Sequence, residues 1–465
     1  MTSMVQKRGF LFSLIMKIQR ISEFQHRFSF LSCVENFDAY YARFLESDLG
    51  KIYIAIPWSD LVKDFGLKES SKGAKMSFSP RGRIALMFLK HYACCSDKRL
   101  IEQLNSNIDY QFFCDLHLGF DRITNYKIVS QIRCELAACL DIDVLQKCLY
   151  ANWSDYIENP DQVTVDATCY ESDLRYPSNQ KLLWEAVNWM YKQLCKNAKI
   201  VGVKMIRSKY LKWKRRYHNF SKMRRKTKSK RRSLTRSLLW LLKKFIDFEV
   251  YLRKNYKLQG SIQYYRRVAT IKKVYLQQEA HFRTGNKIKD RIVSIAKDYL
   301  RPIVRGKEIK PVEFGAKVNK LQIDGISFIE HLSFNAFNEG TRLQATIYKA
   351  QSLTHRKTKI IGADAIYATN KNRNFVTKHK IKTDFKRKGR LPKDYKQERK
   401  LKSLITKERA TRLEGSFGKE KEYYHLKKIK AKTKATEILW IFFGIHTANA
   451  LEIGRRSYKQ QQIAA

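Results

Sequence analysis

Two aspartates close strand-like stretches that lie 198 residues apart in the chain. Residues 162–168 read Gln-Val-Thr-Val-Asp-Ala-Thr, in which Val163 and Val165 alternate with polar neighbours and Asp166 falls near the strand's end. Residues 359–364 form a second such stretch, with Ile360 and Ile361 leading into Gly362-Ala363-Asp364. Carboxylates brought together at strand ends can hold Mg²⁺, which takes hard oxygen ligands, and two such ions roughly 3.5–4 Å apart clamp an in-line phosphoryl displacement. Spacing alone selects weakly, because 43 acids offer many triples. Asp166 could equally be a strand-end turn acid. Asp364 could be a helix N-cap, although Thr369 and Asn370 are better placed for that. Glu414 lies in a helical stretch with Glu408, Glu420 and Glu422 around it, and by position alone could be a surface acid. Glu171 and Asp173 follow the first strand and could orient a ligand, whereas Glu339, before Gly340, reads as a helix-start acid.

The elements that would position these acids are legible from periodicity. Residues 316–323 and 326–332 alternate on either side of Asp324-Gly325, a two-residue hairpin signal, since both turn positions need φ > 0. A helix over about 341–353 leads to the strand ending at Asp364. A further helix begins near Asn370, a short strand lies at 381–385, and helices cover about 407–421 and 436–452. The order is strand, long insertion, hairpin, helix, strand, helix. Without the insertion this is the order of an RNase H-like domain, in which the first and fourth strands are neighbours. Asp166 and Asp364 would then sit side by side. The expected fold is α/β: an RNase H-like core with a mixed sheet (160–180 and 311–455), a helical N-terminal domain (1–150) and a helical insertion after the first strand (181–310). In the N-terminal part, Ser79-Pro80 starts a helix, with others at 97–104 and 125–140. The insertion carries helical periodicity over 183–198, 238–256, 262–282 and 288–300.

Charge is the outlier of the composition: 93 Lys+Arg against 43 Asp+Glu, a formal net charge of +50. So large an excess repels itself unless a polyanion neutralises it, and its spread over the chain favours nucleic acid over a membrane surface. It peaks at 204–236, with 16 Lys or Arg, no acid, and Tyr210, Trp213, Tyr217 and Phe220 interleaved. Lys212, Lys214, Arg215, Arg216, Arg224, Arg225 and Lys226 are the expected phosphate contacts there. The longest apolar runs, such as 438–445, fall well short of a membrane span. Residues 9–16 loosely mimic a signal peptide, but Lys17 and Arg20 follow at once and no small-residue cleavage site appears. Nine cysteines with no CxxC pair argue against zinc and disulfide frameworks and read as small buried hydrophobes in a reducing compartment. His91, His117, His281, His331 and His446 lack ligand spacing.

The segments around the three acids carry a resemblance. Val165-Asp166-Ala167-Thr168 followed by Tyr176-Pro177-Ser178-Asn179 looks like the first-Asp segment of DDE transposases of bacterial insertion sequences. Residues 362–372, Gly-Ala-Asp-Ala-Ile-Tyr-Ala-Thr-Asn-Lys-Asn, resemble their second-Asp segment, and 412–421, Arg-Leu-Glu-Gly-Ser-Phe-Gly-Lys-Glu-Lys, resemble their Glu helix. Glu414 and Lys421 stand seven apart, as in that family's signature. The family's Arg four before the Glu is replaced by Ala410, with Arg409 and Arg412 nearby. The resemblance covers about 79–180 and 312–455. It implies that Asp166, Asp364 and Glu414 are catalytic and hold two Mg²⁺ or Mn²⁺ ions, and that Arg412 and Lys421 join the DNA contacts. It further implies a homodimeric, cytoplasmic, nucleoid-associated enzyme without membrane contact. Such an enzyme binds terminal inverted repeats in double-stranded DNA, cuts to expose a 3′-OH and joins it to target DNA. The rival readings are an RNase H-like nuclease on branched or damaged DNA, and a non-catalytic DNA-binding protein descended from a transposase.

Overall fold

The computed structural model describes residues 33–69, 77–119, 121–256, 259–304, 311–387, 389 and 395–464; the signal-like stretch at 9–16 lies outside them. Among the described residues, eight α-helices precede the first strand: α1 (Cys33–Glu46), α2 (Asp48–Ala55), α3 (Trp58–Asp64), α4 (Pro80–Tyr92), α5 (Asp97–Ser106), α6 (Ile108–Phe113), α7 (Lys127–Ala138) and α8 (Ile142–Trp153). The starts of α2, α4, α5, α6 and α8 are set by side chains that satisfy orphan backbone donors. The Ser79 hydroxyl accepts from the Gly82 N–H at the head of α4, with Pro80 at the first helical position, and Asp141 accepts from Asp143 and Val144 at α8.

Strand β1 (Gln162–Ser172) is followed by α9 (Asn179–Ile200), α10 (Tyr210–Lys222), α11 (Lys228–Tyr256) and α12 (Ile262–Thr284), then β2 (Pro302–Val304), β3 (Val312–Ile323) and β4 (Ile326–Ser333). Asp324 and Gly325, with φ of 47° and 83°, make the tight turn between β3 and β4. Helix α13 (Leu343–Thr354) leads to β5 (Ile360–Ala363), α14 (Asn370–Lys378) and β6 (Lys382–Thr383). Helix α15 (Tyr395–Glu408) runs into a π turn (Arg409–Leu413) and on into α16 (Glu414–Tyr423), before β7 (Lys428–Ile429) and α17 (Lys434–Ala464). The sheet runs β4-β3-β1-β5-β6, with β2 beside β3 and β7 beside β1. Strands β4, β3 and β1 are antiparallel neighbours, and β1, β5 and β6 are parallel. This is the strand order and direction of the RNase H-like core expected from the sequence.

One apolar core joins the N-terminal helices, the sheet and α17: Phe88, Leu136, Val165, Leu321, Ile347 and Phe443 all belong to it. Helices α9 to α12 have a core of their own, around Leu183, Val187, Leu238, Leu242, Phe245 and Ile271. The helix expected over 288–300 does not form. The Ser294 hydroxyl takes the N–H groups of Ala296 and Lys297, and the Gln277 side chain takes that of Ile292, so local side-chain bonds replace the helical ladder. Ile292, Val293 and Leu300 are buried all the same, which accounts for the apolar pattern. The cysteines also depart from expectation. Cys114 and Cys169 are buried, but Cys94, Cys134 and Cys139 are exposed: Cys134 lies on the outer face of α7, which needs only one apolar face, and Cys94 and Cys139 lie just past helix ends. No helix among the described residues is long and apolar enough to cross a membrane.

Helix α15 packs directly on β5, and Gly362 permits the approach. A β-carbon there would meet Ile405 Cγ2 at 2.7 Å and Thr164 Cγ2 at 3.2 Å. Gly362→Ala is therefore expected to destabilise the protein by about 1–3 kcal/mol, the usual cost of overpacking. Adding Ile405→Ala should recover part of that loss. Chemical denaturation of the two variants checks this; equal stability of Gly362→Ala and wild type would contradict it.

Candidate active site

Strands β1 and β5 pair in parallel with Val165 opposite Ala363, so Asp166 and Asp364 stand at the same level; Asp364 lies just past the end of β5, whereas Asp166 lies inside β1, which runs on to Ser172, and not near its end as the sequence suggested. Asp166 is half-buried and accepts from the Ala167 N–H at 2.7 Å. Asp364 is exposed and accepts from the Ala365 N–H at 2.7 Å, capping the short 3₁₀ turn Ala365–Tyr367. The cap of α14 is instead Thr369, whose hydroxyl accepts from the Asn372 N–H.

Asp166, Thr168 and Tyr170 share one face of β1, since side chains alternate along a strand. Helix α16 lies over that face. Lys421 Nζ is 3.0 Å from Thr168 Oγ1, and Glu420 accepts from the Tyr170 hydroxyl. Lys320, directly opposite Asp166 on β3, donates to Ser416 Oγ and Glu420 Oε1, each at 2.6 Å. Leu413, buried, fixes the N-terminal end of α16, and Glu414 follows it with its side chain 53% exposed.

The π turn sets where Arg409 points. In an α-helix, residues five apart point about 140° away from each other. Here the Glu414 N–H bonds to the Arg409 carbonyl five residues back, and the wider turn brings both side chains to one face. Arg409 Nη1 lies 3.5 Å from Glu414 Oε1, and Arg409 Nε lies 3.7 Å from Asp384 Oδ2.

Among the described residues no three His, Cys, Asp or Glu side chains are close enough to hold an ion together. Asp166 and Asp364 are neighbours, while Glu414 is held by Arg409. Glu339, read from the sequence as a helix-start acid, does begin a 3₁₀ turn and pairs with Lys317 at 2.7 Å. It is also a near neighbour of Asp166, which nothing in the local sequence signals. Burial pushes the Asp166 carboxyl up to about 6; the Ala167 N–H and Arg409 pull it down, and the charges of Glu339 and Asp364 push it further up. Hard oxygen donors with surplus negative charge fit a divalent cation.

The basic block is divided by the fold. Lys212, Lys214, Arg215, Arg216, Arg224 and Arg225 are exposed on α10 and the loop after it, and Lys226, half-buried, lies over the Phe220 ring. Lys212, Arg215, Arg216 and Lys230 line a cleft of about 780 Å³ between α10 and α11. Of the interleaved aromatics, Trp213 is half-buried with Arg216 over its ring, and the other three are not free to stack on bases. Tyr210 and Phe220 are buried, and Trp184 stacks on Tyr210 and Tyr217 inside the insertion. Arg412 pairs with Asp324 at 2.9 Å and Glu408 at 3.0 Å, so it ties the helix to the β3–β4 turn.

Two family models match the chain. A transposase DDE domain covers residues 361–445, which include Asp364 and Glu414, and a transposase domain covers 40–135, most of the N-terminal helices. No curated protein and no solved structure matches.

The buried Asp166 yields a pH dependence with a definite sign. The folded state holds its proton more tightly than the unfolded chain, so stability falls as pH rises from about 4 to about 6 and stays lower above that. The cost at neutral pH is at most about 3 kcal/mol. Metal-free Asp166→Asn should melt a few degrees above wild type at pH 7.5 and match it below about pH 4. Identical melting curves at pH 7.5 would show that Asp166 carries no such charge burden.

Proposed function

We propose, on the premise that this chain is a DDE transposase of the insertion-sequence type, that Asp166, Asp364 and Glu414 form its catalytic carboxylate set and bind two Mg²⁺ or Mn²⁺ ions. DDE transposases cut and join DNA with divalent metal. The observation that carries the residue assignment is the placement of Asp166 and Asp364 at one level of adjacent parallel strands, under the helix that Glu414 opens. Bound ions supply positive charge to the scissile phosphate and the entering oxygen. Asp166 and Asp364 form the fixed half of their ligand set, because both are set by strand register. Glu414 forms the adjustable half, because its exposed side chain can turn from Arg409 toward the aspartates. Lys421, held over β1 by Thr168, directs a positive charge at the same face and suits a flanking phosphate.

The substrates in this reading are the element's terminal inverted repeats and a target duplex. Helices α4 to α7 belong to a DNA-end-binding N-terminal unit, and the RNase H-like core does the chemistry. The exposed cations of α10 and the following loop grip phosphates. Two copies act together, since two element ends must be cut and joined in one event. A nuclease on branched DNA would need no inverted repeats, and the two transposase-domain matches favour the present reading over it.

The decisive assay uses DNA carrying the element's own ends, with Mg²⁺. Asp166→Asn, Asp364→Asn and Glu414→Gln keep size and remove charge, so each should bind DNA normally and lose cleavage and strand transfer by at least about 10³-fold. Normal cleavage by one variant removes that residue from the site; normal cleavage by all three ends the assignment, and an inert wild type identifies a decayed copy.

The grip has its own test. Replacing Lys212, Lys214, Arg215, Arg224 and Arg225 with Gln should weaken binding and flatten its salt dependence by about one counterion per lost phosphate contact. Base preference should hardly change, because phosphate contacts position rather than specify. Unchanged affinity and slope would make the block a solvated surface.

A further inference from the structure

Asp384 takes no part in the sequence motifs, yet it connects the two halves of the site. It follows β6, and its carboxylate is almost fully buried. Oδ1 accepts from the N–H of Ala363, the residue before Asp364, at 3.1 Å. Oδ2 faces Arg409 Nε at 3.7 Å, and that nitrogen is buried with no hydrogen-bond partner. The other end of the same guanidinium reaches Glu414. One buried carboxylate therefore joins the strand end that carries Asp364 to the turn that carries Glu414. Burial raises the Asp384 carboxyl above its usual range, and the Ala363 N–H and Arg409 hold it down.

A cation among carboxylates can act in two opposite ways. Left loose, a guanidinium would settle between Asp166, Asp364 and Glu414 and compete with a metal ion for the same oxygens. Tied to one side, it neutralises surplus charge of the cluster without lying between the aspartates. Asp384 supplies that tie, and the π turn gives Arg409 the reach to hold Glu414 at the same time.

We propose that Arg409 is the resident counter-ion of the carboxylate cluster and that Asp384 is a positioning residue which holds it off the metal's place. The proposal rests on the assignment of Asp166, Asp364 and Glu414 as the metal-binding set. It makes a charge-specific forecast that a merely structural role for Asp384 does not. Asp384→Asn keeps the acceptor for the Ala363 N–H but frees the arginine, so metal binding weakens. Arg409→Gln removes the competing charge, so metal binding tightens. The double variant loses both charges and returns toward wild type.

The experiment measures Mn²⁺ binding to the full chain without DNA, by the loss of the free-ion electron paramagnetic resonance signal. Melting curves of each variant are recorded alongside. Asp384→Asn should weaken Mn²⁺ binding about tenfold, Arg409→Gln should tighten it severalfold, and the pair should lie within about threefold of wild type, as expected when a unit charge is moved at short range. Unchanged binding in Asp384→Asn overturns the proposal. So does weaker binding in Arg409→Gln, which would mean that the arginine is needed only to shape the site. If Asp384→Asn alone fails to fold, Arg409→Gln and the double variant still decide the matter by the direction of their shift. Asp364→Asn and Glu414→Gln serve as controls. If they abolish Mn²⁺ binding while Asp384→Asn does not change it, only this proposal fails. If they leave Mn²⁺ binding intact, the metal-site assignment fails and this proposal with it.

Discussion

The buried pair of Lys320 and Glu420 sets the geometry on which the candidate site depends. Their side chains are 0% and 2% exposed, with Nζ and Oε1 2.6 Å apart. A charge so buried is tolerable only when paired and hydrogen-bonded, and here Ser416 and Tyr170 complete the set. Burial lowers the Lys320 ammonium's pKa, and the adjacent Glu420 carboxylate opposes that shift. Removing either partner would leave the other uncompensated, a change usually worth about 3–5 kcal/mol. The pair thus fixes both the rotation and the height of α16 on the sheet. Lys320 stands opposite Asp166 in register, so the contact that anchors the helix also fixes where Glu414 can lie relative to the aspartates.

The large positive charge divides into two kinds of cation. Some lysines are buried and paired: Lys90 with Asp97, Lys297 with Glu437, Lys317 with Glu339 and Lys320 with Glu420. The last and the second of these join elements 100 and 140 residues apart in sequence, and none of the four lysines is available to a ligand. The cations of α10 and the loop after it face solvent and form no ion pair with a described residue, so an external anion would relieve their repulsion. The composition reports the sum of both kinds, and only the fold separates the structural share from the share that can meet phosphate.

Much of the core was legible because it is written in local rules. Alternation about Asp324-Gly325 marked the hairpin, Ser79-Pro80 marked a helix start, and strand order alone placed Asp166 beside Asp364. What escaped is non-local. Glu420 looked like one more surface acid near Glu414, and its burial depends on a lysine 100 residues away. Tyr210 and Tyr217 of the basic block looked available for stacking, but their partner Trp184 lies on another helix. The apolar spacing at 288–300 suited a helix equally well, and only the side chains of Ser294 and Gln277 decide against it. Asp384 carries no motif at all.

The π turn shows how an arginine five residues before Glu414 keeps contact with it. An extra residue in an α-helix rotates everything beyond it by about 100°. Helix α15 cannot absorb that rotation, because Ile405 must face Gly362. Helix α16 cannot absorb it either, because Glu420 must face Lys320. The surplus is therefore confined to the stretch between the two anchors, where residues 410–412 are exposed and a wider turn displaces only solvent. Arg412 and Glu408 pair across it, and the Thr411 hydroxyl takes the Lys407 carbonyl. A helix pinned at both ends converts an insertion into a local widening, and that widening leaves Arg409 and Glu414 on one face.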